Sequence, residues 1–421
     1  MIRHLITITL LSLSLVACEN NPEKGKYHID GSISEEVLNN YLSRAITMGE
    51  FCLPNSDAEF EENVRMLKNI GAKFIGRAAF EWTPNMNVED HFAKAAKYAK
   101  LAHEADPEFL LQVCIFEAIF HPKSRLTNYG VDSITIPEWV FKEFGLPVQI
   151  RNFSFGAMIY ADGKYNDRWA GEGGGVPDIS RIESQMYFYY RAVRYINAGF
   201  EGIHFGQIQL MDDNDPDNEI WFSLLKRIRE YAKDHARRGW VVCDSHACVV
   251  GGYVSKDGYT LLDFHSSPQR PKEICDTAYH AVLEAGYLDA MFKRSKGGIT
   301  PSGWECESLP YLIEFDNSGK ENPGVCGGKV KYWPWGWDEI SWFAHCAPEY
   351  RAYWLNYATE WLKENDPAGH LQMPGAITIA ADPIPIEGGD NKIWKYRLNN
   401  KTETFPHGFS DEDVVKKLWE N

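Results

Sequence analysis

Apolar residues along the chain gather into eight short runs. Most runs are followed by a longer stretch whose apolar positions recur every three to four residues. "RAITMGEFCL" (44–53) reads as a strand and "DAEFEENVRMLKNIG" after it as a helix, with Asp57 as its expected cap. "AKFIGRAAF" (72–80) is a second strand, followed by the helical pattern of 88–105. "FLLQVCIFEAI" (109–119) leads to the helix "RIESQMYFYYRAVRYINAG", and "GIHFGQIQLM" (202–211) to "IWFSLLKRIREYAKDHARR". "GWVVCDSHA", "LLDFHSS" and "LPYLIEFDN" are the fifth to seventh strands. A helix over 338–365 and the strand "LQMPGAITIA" (371–380) close the series.

Strands alternating with helices predict a parallel sheet, and eight such units predict a (β/α)₈ TIM barrel. An open doubly wound sheet is the alternative, but "GEGGGVP" neither follows a strand nor opens a helix as its phosphate loop requires. The pattern breaks once: "CVVGGYVSKDGYT" is too short and Gly-rich for a helix and suits a hairpin. Helix-to-strand turns such as "NIGAKF" and "NAGFEG" are short. Strand-to-helix connections are long, above all the insertion from Phe120 to Ser180 after strand three. In a barrel those long connections build the active face.

Polar residues recur at that end of nearly every strand. Asp244 and His246 lie two apart in strand five and so share a face; Asp263 and His265 repeat the spacing in strand six. Strand seven ends in Glu314 and Asp316, strand three in Glu117, strand two in Glu81 and strand one in Glu50, while strand four carries His204 and Gln207. Burying such groups costs free energy unless they find partners, and barrel interiors are normally filled by apolar branched residues. Convergent carboxylates fit glycoside hydrolysis, in which one carboxyl stays protonated while a second, ionised one attacks the sugar or activates water. Glu314 is the expected nucleophile or base, with Asp244 or Glu117 as proton donor; the other strand-end residues would bind substrate. Trp335 and Trp337 in "YWPWGWDE", with Trp333, offer flat apolar platforms, and Trp304 and Trp169 fall on other rim loops. The two Asp/His pairs, with His204, are also ligand types for a divalent ion, which makes a metal-dependent hydrolase the rival chemistry. No ligand spacing is met, so no metal and no cofactor are expected.

Composition narrows the partners. Aromatic residues make up 14% of the chain, which suits a sugar-binding cleft, and the formal net charge of −16, with no long Lys/Arg run, argues against nucleic acid. The N-terminus "MIRHLITITLLSLSLVAC" has an apolar run of signal-peptide length that ends in "LVAC". That ending resembles the lipobox of bacterial lipoproteins, which implies that Cys18 is lipidated. Residues 1–18 are then a signal peptide, 19–43 a tether and N-terminal segment, and 44–421 a barrel domain with a C-terminal extension. The remaining cysteines form no Cys-x-x-Cys pattern; Cys306 and Cys326 flank a polar loop and are one candidate pair in an oxidising compartment, with connectivity left open by the sequence.

Lipobox, eight βα units and acidic strand ends together resemble the barrel glycoside hydrolases that Bacteroides-type bacteria carry as lipoproteins in polysaccharide-utilisation systems. The resemblance is architectural, covers Arg44 to Ala380, and implies a carbohydrate substrate, a lipid anchor and a place in the cell envelope. In the large retaining clan of such barrels an acid/base Glu ends strand four and a nucleophile Glu ends strand seven. Glu314 matches the second position. Gln207 stands near the first, and an amide donates no catalytic proton, which also keeps open a barrel that binds glycan without cleaving it.

Overall fold

The computed structural model describes residues 25–420 apart from 122–123, 125, 169–172, 247–254, 285–286, 288–294 and 296. Cys18, the rest of 1–24 and Trp169 lie outside the described residues.

Each of the eight expected runs meets a strand: β1 (Ala45–Met48), β2 (Phe74–Phe80), β3 (Leu110–Cys114), β4 (Gly202–His204), β5 (Val242–Asp244), β6 (His265–Pro268), β7 (Tyr311–Glu314), and, for the eighth, β8 (Gly369–Leu371), which reaches it at Leu371, and β9 (Met373–Thr378) inside it. One sheet runs β9-β1-β2-β3-β4-β5, all parallel, with β10 (Lys395–Arg397) antiparallel on β9. A second parallel sheet runs β6-β7-β8. Two seams connect them. Only Gln372 separates β8 from β9, and its N–H donates to Ile313 O at 2.8 Å. On the other side, Asp263 N–H donates to Cys243 O and Ser266 N–H to Ser245 O, both at 2.9 Å, and His246 forms a parallel bridge with Ser266.

The helices are α1 (Glu35–Leu42), α2 (Asp57–Ile70), α3 (Val88–Ala105), α4 (Ile182–Asn197), α5 (Glu219–His235), α6 (Glu339–His345), α7 (Pro348–Asn365) and α8 (Glu412–Glu420). Ser56, not Asp57, caps α2 by accepting from Glu59 N–H, and Gly71 at φ 75° ends it. The single helix expected over 338–365 is two. Pro348 opens α7, and since proline lacks an N–H and clashes with the carbonyl four residues back, the helix cannot run through it. The hairpin expected between strands five and six is present where it is described: Ser255–Lys256 pairs antiparallel with Tyr259–Thr260. The connection from β3 to α4 carries two short helices, Glu138–Glu143 and Phe155–Met158, and the strand pair Ile119–Phe120 with Gly174–Gly175.

The strand starts are sealed by α1, which lies in the stretch 19–43 expected as tether and N-terminal segment. Leu38, Tyr41 and Leu42 of α1 pack with Ala45, Phe74, Leu110, Val242, Phe264 and Leu312 in one apolar cluster. Tyr41 Oη lies 2.9–3.0 Å from the carbonyls of Glu108 and Tyr27 and accepts from Arg238 Nη1 at 2.6 Å. Trp304 packs against this same cluster and donates to Ile33 O at 3.0 Å, so it belongs to the end opposite the strand C-termini and not to the active rim. Cys326 pairs with Cys275, at a Cα–Cα distance of 5.6 Å, rather than with Cys306, which is a free thiol. Among the described residues no helix is long and apolar enough to cross a membrane.

Candidate active site

Glu314, the last residue of β7, is buried and takes two cationic partners. Arg77 donates to it from Nε at 3.1 Å and from Nη2 at 2.5 Å, and His246 Nε2–H donates to Oε1 at 2.5 Å. Burial opposes the charge on Glu314, but Arg77 and His246 outweigh it and hold the carboxyl well below the usual carboxylate range. Burial likewise opposes protonated His246, and the hydrogen bond and charge of Glu314 outweigh that and raise it. Arg77 reaches the carboxylate from within β2 at φ 55°, a left-handed conformation that costs a non-glycine residue free energy and concentrates at functional positions.

Below this pair lies a hydrogen-bonded tier. Asp244 is fully buried and accepts from Gln112 Nε2, His204 Nδ1 and Ser266 Oγ, each at 2.7 Å. The Asp244 bond places a proton on Nδ1 of His204, and its Nε2 has no partner among the described residues. The His204 ring meets the His246 ring edge-on at 4.6 Å. Gln112 turns its oxygen to the backbone N–H of Arg77 at 3.3 Å, so the tier orients both partners of Glu314.

Glu117 sits beside this frame. Gln207 donates to it from its backbone N–H and from Nε2, both at 3.0 Å. Between them Gly206 adopts φ 59°, and a Cβ there would come 2.0 Å from Glu117 Oε2, so only glycine allows the contact. The carbonyl of Gly206 accepts from His246 N–H at 2.8 Å, which ties Glu117 to the Glu314 frame.

The expected residues divide accordingly. Glu314, His246, His204, Asp244, Glu117 and Gln207 come together, and Asp316, half-buried, acts electrostatically on both Arg77 and His246. Asp244 has no exposure and three donors on its carboxylate, which leaves it no route to a substrate as proton donor; it is a positioning residue. Asp263 and His265 leave the cluster. Alternation along this strand sends Phe264 and Ser266 inward, so Asp263 faces the helix layer, where Arg229 Nη2 donates to it at 2.9 Å, and His265 stacks on Tyr311 at 5.0 Å. Burial pushes His265 down to about 3, so it stays neutral. Glu50 pairs with Lys395 at 3.2 Å at the open rim, and Glu81 turns aside to Arg191 at 2.8 Å. Trp335 and Trp337 are only 6% and 4% exposed, with Trp335 donating to His280 O and Trp337 stacked on His345; they are packing, not platforms.

Residues unnamed by the sequence complete the site. Arg77 and Gln112 are polar residues inside the apolar runs "FIGRAAF" and "LLQVC", the same signal that singled out Asp244. Asp338, which caps α6 by accepting from Ser341 N–H at 2.8 Å, and Glu339, paired with Arg270, are both buried. Burial pushes Asp338 up to about 7 against its hydrogen bonds from Ser341 and Gly319, and pushes Glu339 well up against Arg270.

No protein-family model and no curated protein matches this chain. Among solved structures, a debranching enzyme from Nostoc punctiforme overlaps 57% of this chain and 53% of its own, with 10% identity and a TM-score of 0.33. An alpha-galactosidase from Thermus thermophilus overlaps 57% and 47%, with 11% identity and a TM-score of 0.34. An isomalto-dextranase from Arthrobacter globiformis T6 overlaps 57% and 41%, with 10% identity and a TM-score of 0.34. The overlap spans about half the length of these structures, and likeness at this level carries no function across; the chemistry rests on the side chains of the site itself.

Proposed function

We propose that this chain is a glycoside hydrolase acting on a poly- or oligosaccharide, with Glu314 as the ionised carboxylate that attacks the sugar or activates water. One observation carries the reading: a buried carboxylate at a strand end is kept charged by Arg77 and His246, with a second acid, Glu117, tied to the same frame through Gly206. Glycoside hydrolysis requires two carboxyls in different protonation states. Glu117 takes the part of proton donor, since Asp244 is sequestered. The two seams support a closed (β/α)₈ barrel as the frame, with β8–β9 serving as one strand between β7 and β1. The disulfide suits an oxidising compartment, and the "LVAC" ending suits a lipid anchor, so the proposed location is the cell envelope, as in polysaccharide-utilising bacteria.

The test is product analysis after incubating the purified protein with a panel of polysaccharides, alongside Glu314→Gln. Hydrolysis is expected to fall by several orders of magnitude in the variant, while ground-state binding changes much less. Near-normal turnover would remove Glu314 from the mechanism. Binding without cleavage by the parent protein would establish the second reading, a glycan-binding barrel, which Gln207 in place of an acid favours. A metal-dependent reaction through both Asp/His pairs loses its basis, because Asp263 and His265 point away from Asp244 and His246.

A further inference from the structure

Beside the Glu314 cluster, the β2–α3 and β3–α4 connections line a partly open cavity. It opens into a groove, and Val88, Tyr129 and Ser133 line both. Glu81 and Arg191 line it and are 2.8 Å apart; Arg191 is buried, and the Glu81 side chain is 8% exposed. The Arg191 guanidinium lies 5.0 Å over Phe92 and donates to Tyr195 Oη at 2.9 Å. His91 Nδ1 stands 3.4 Å from Glu81 Oε1, but burial and the nearby arginines push His91 well down, so it is a neutral neighbour. Two buried polar atoms of the pair, Glu81 Oε1 and Arg191 Nε, have no hydrogen-bond partner among the described residues. Buried charges kept only for the fold are normally fully bonded, because each open position costs free energy. The remaining wall is aromatic and apolar, with Trp82, Phe120 and Met86, and Tyr129, 40% exposed, stands at the mouth. Trp82 meets Phe116 edge-on at 5.1 Å, and Phe116 meets His204 at 6.2 Å, so one ring separates this cavity from the Glu314 frame.

We infer that this cavity is a sugar subsite that seats one uncharged pyranose ring of a longer substrate. The inference rests on the glycoside hydrolase reading and adds the class of sugar. A pyranose presents apolar C–H faces and a rim of hydroxyls. Trp82 and Tyr129 supply flat apolar surface for the first. For the second, a carboxylate accepts hydroxyl protons through two oxygens, and a guanidinium donates in a fixed fork to neighbouring oxygens. Glu81 and Arg191 neutralise each other, and Glu89 at the mouth is paired with Arg194 at 2.8 Å. The site therefore offers no net charge to a uronic acid, and the seated ring is neutral.

The experiment is calorimetric titration of the full chain carrying Glu314→Gln with cellohexaose, xylohexaose, mannohexaose, maltohexaose and hexagalacturonate. At least one neutral hexaose is expected to bind. Adding Trp82→Ala, or Tyr129→Ala at the exposed mouth, raises its Kd about tenfold or more, as truncation of an aromatic anchor does. Circular dichroism identifies a misfolded variant, and the Tyr129 substitution keeps the test decisive if Trp82→Ala does not fold. An unchanged Kd in the folded variants, or no binding by any probe, overturns the subsite. Tighter binding of hexagalacturonate overturns the neutral-sugar assignment. Product analysis of the parent protein with the same hexaoses separates the two readings. Binding that depends on Trp82 or Tyr129 without any cleavage refutes the hydrolase and leaves the subsite standing.

Discussion

At the scale of single residues, the charge on Glu314 is set by a contest between burial and two cations, and that contest is open to measurement. Arg77→Gln removes the larger cation and keeps a donor near the carboxylate. Burial then acts with less opposition, and the carboxyl pKa rises toward and past the value of about 4.3 typical of a free glutamate. A base that must be ionised loses activity below its own pKa. The acid limb of the kcat/KM profile is therefore expected to move to higher pH by a unit or more in Arg77→Gln, with the smaller loss at neutral pH. An acid limb that does not move would mean that Arg77 serves the fold and not the charge state. The sequence marks Arg77 by the same sign as Asp244, a polar residue inside an apolar run. It does not reveal which of the two touches Glu314, because that depends on how strands far apart in the chain are brought together.

At the scale of elements, α1 closes the end of the fold away from the site. Leu38 is fully buried against the first residues of several strands, and its truncation to Ala is expected to cost about 2–5 kcal/mol in urea unfolding, through lost burial and the cavity left behind. A change under about 0.5 kcal/mol would show α1 to be dispensable. The eight strand segments and the main helices were legible because their apolar periods are long and their turns short. Two elements were not. The N-terminal segment that holds α1 is short and follows a polar stretch, so nothing local distinguishes a tether from a cap that packs only once the strands exist. The break at Pro348 is the second: apolar residues continue on both sides of the proline, and they hide it. In the site, the two-residue spacing correctly joined Asp244 with His246 and Asp263 with His265. Whether a given pair points inward or toward the helices depends on strand register, and that is where Asp263 and His265 departed from expectation.

At the scale of the whole molecule, three cysteines bear on stability and on the proposed location. The Cys275–Cys326 disulfide closes a loop of 51 residues that joins the β6–β7 and β7–α6 connections. Cys275→Ser is expected to lower unfolding stability by about 2–4 kcal/mol, read as a lower denaturant midpoint with the slope unchanged; an unchanged midpoint would mean that this bond adds nothing to the folded state. Cys18→Ser is expected to move the protein from the membrane fraction to the soluble fraction, and a variant that fractionates like its parent would exclude the lipid anchor. The two seams have a further consequence. Glu314 and Ser266 belong to the small sheet, while Arg77, His246, Asp244 and Gln112 belong to the large one or directly follow its strands, so the contacts that tune the site also fasten the sheets together. A change that loosens these contacts is therefore expected to lower heat resistance and to disturb the proposed chemistry together, so a lineage that adapts one will find the other moving with it.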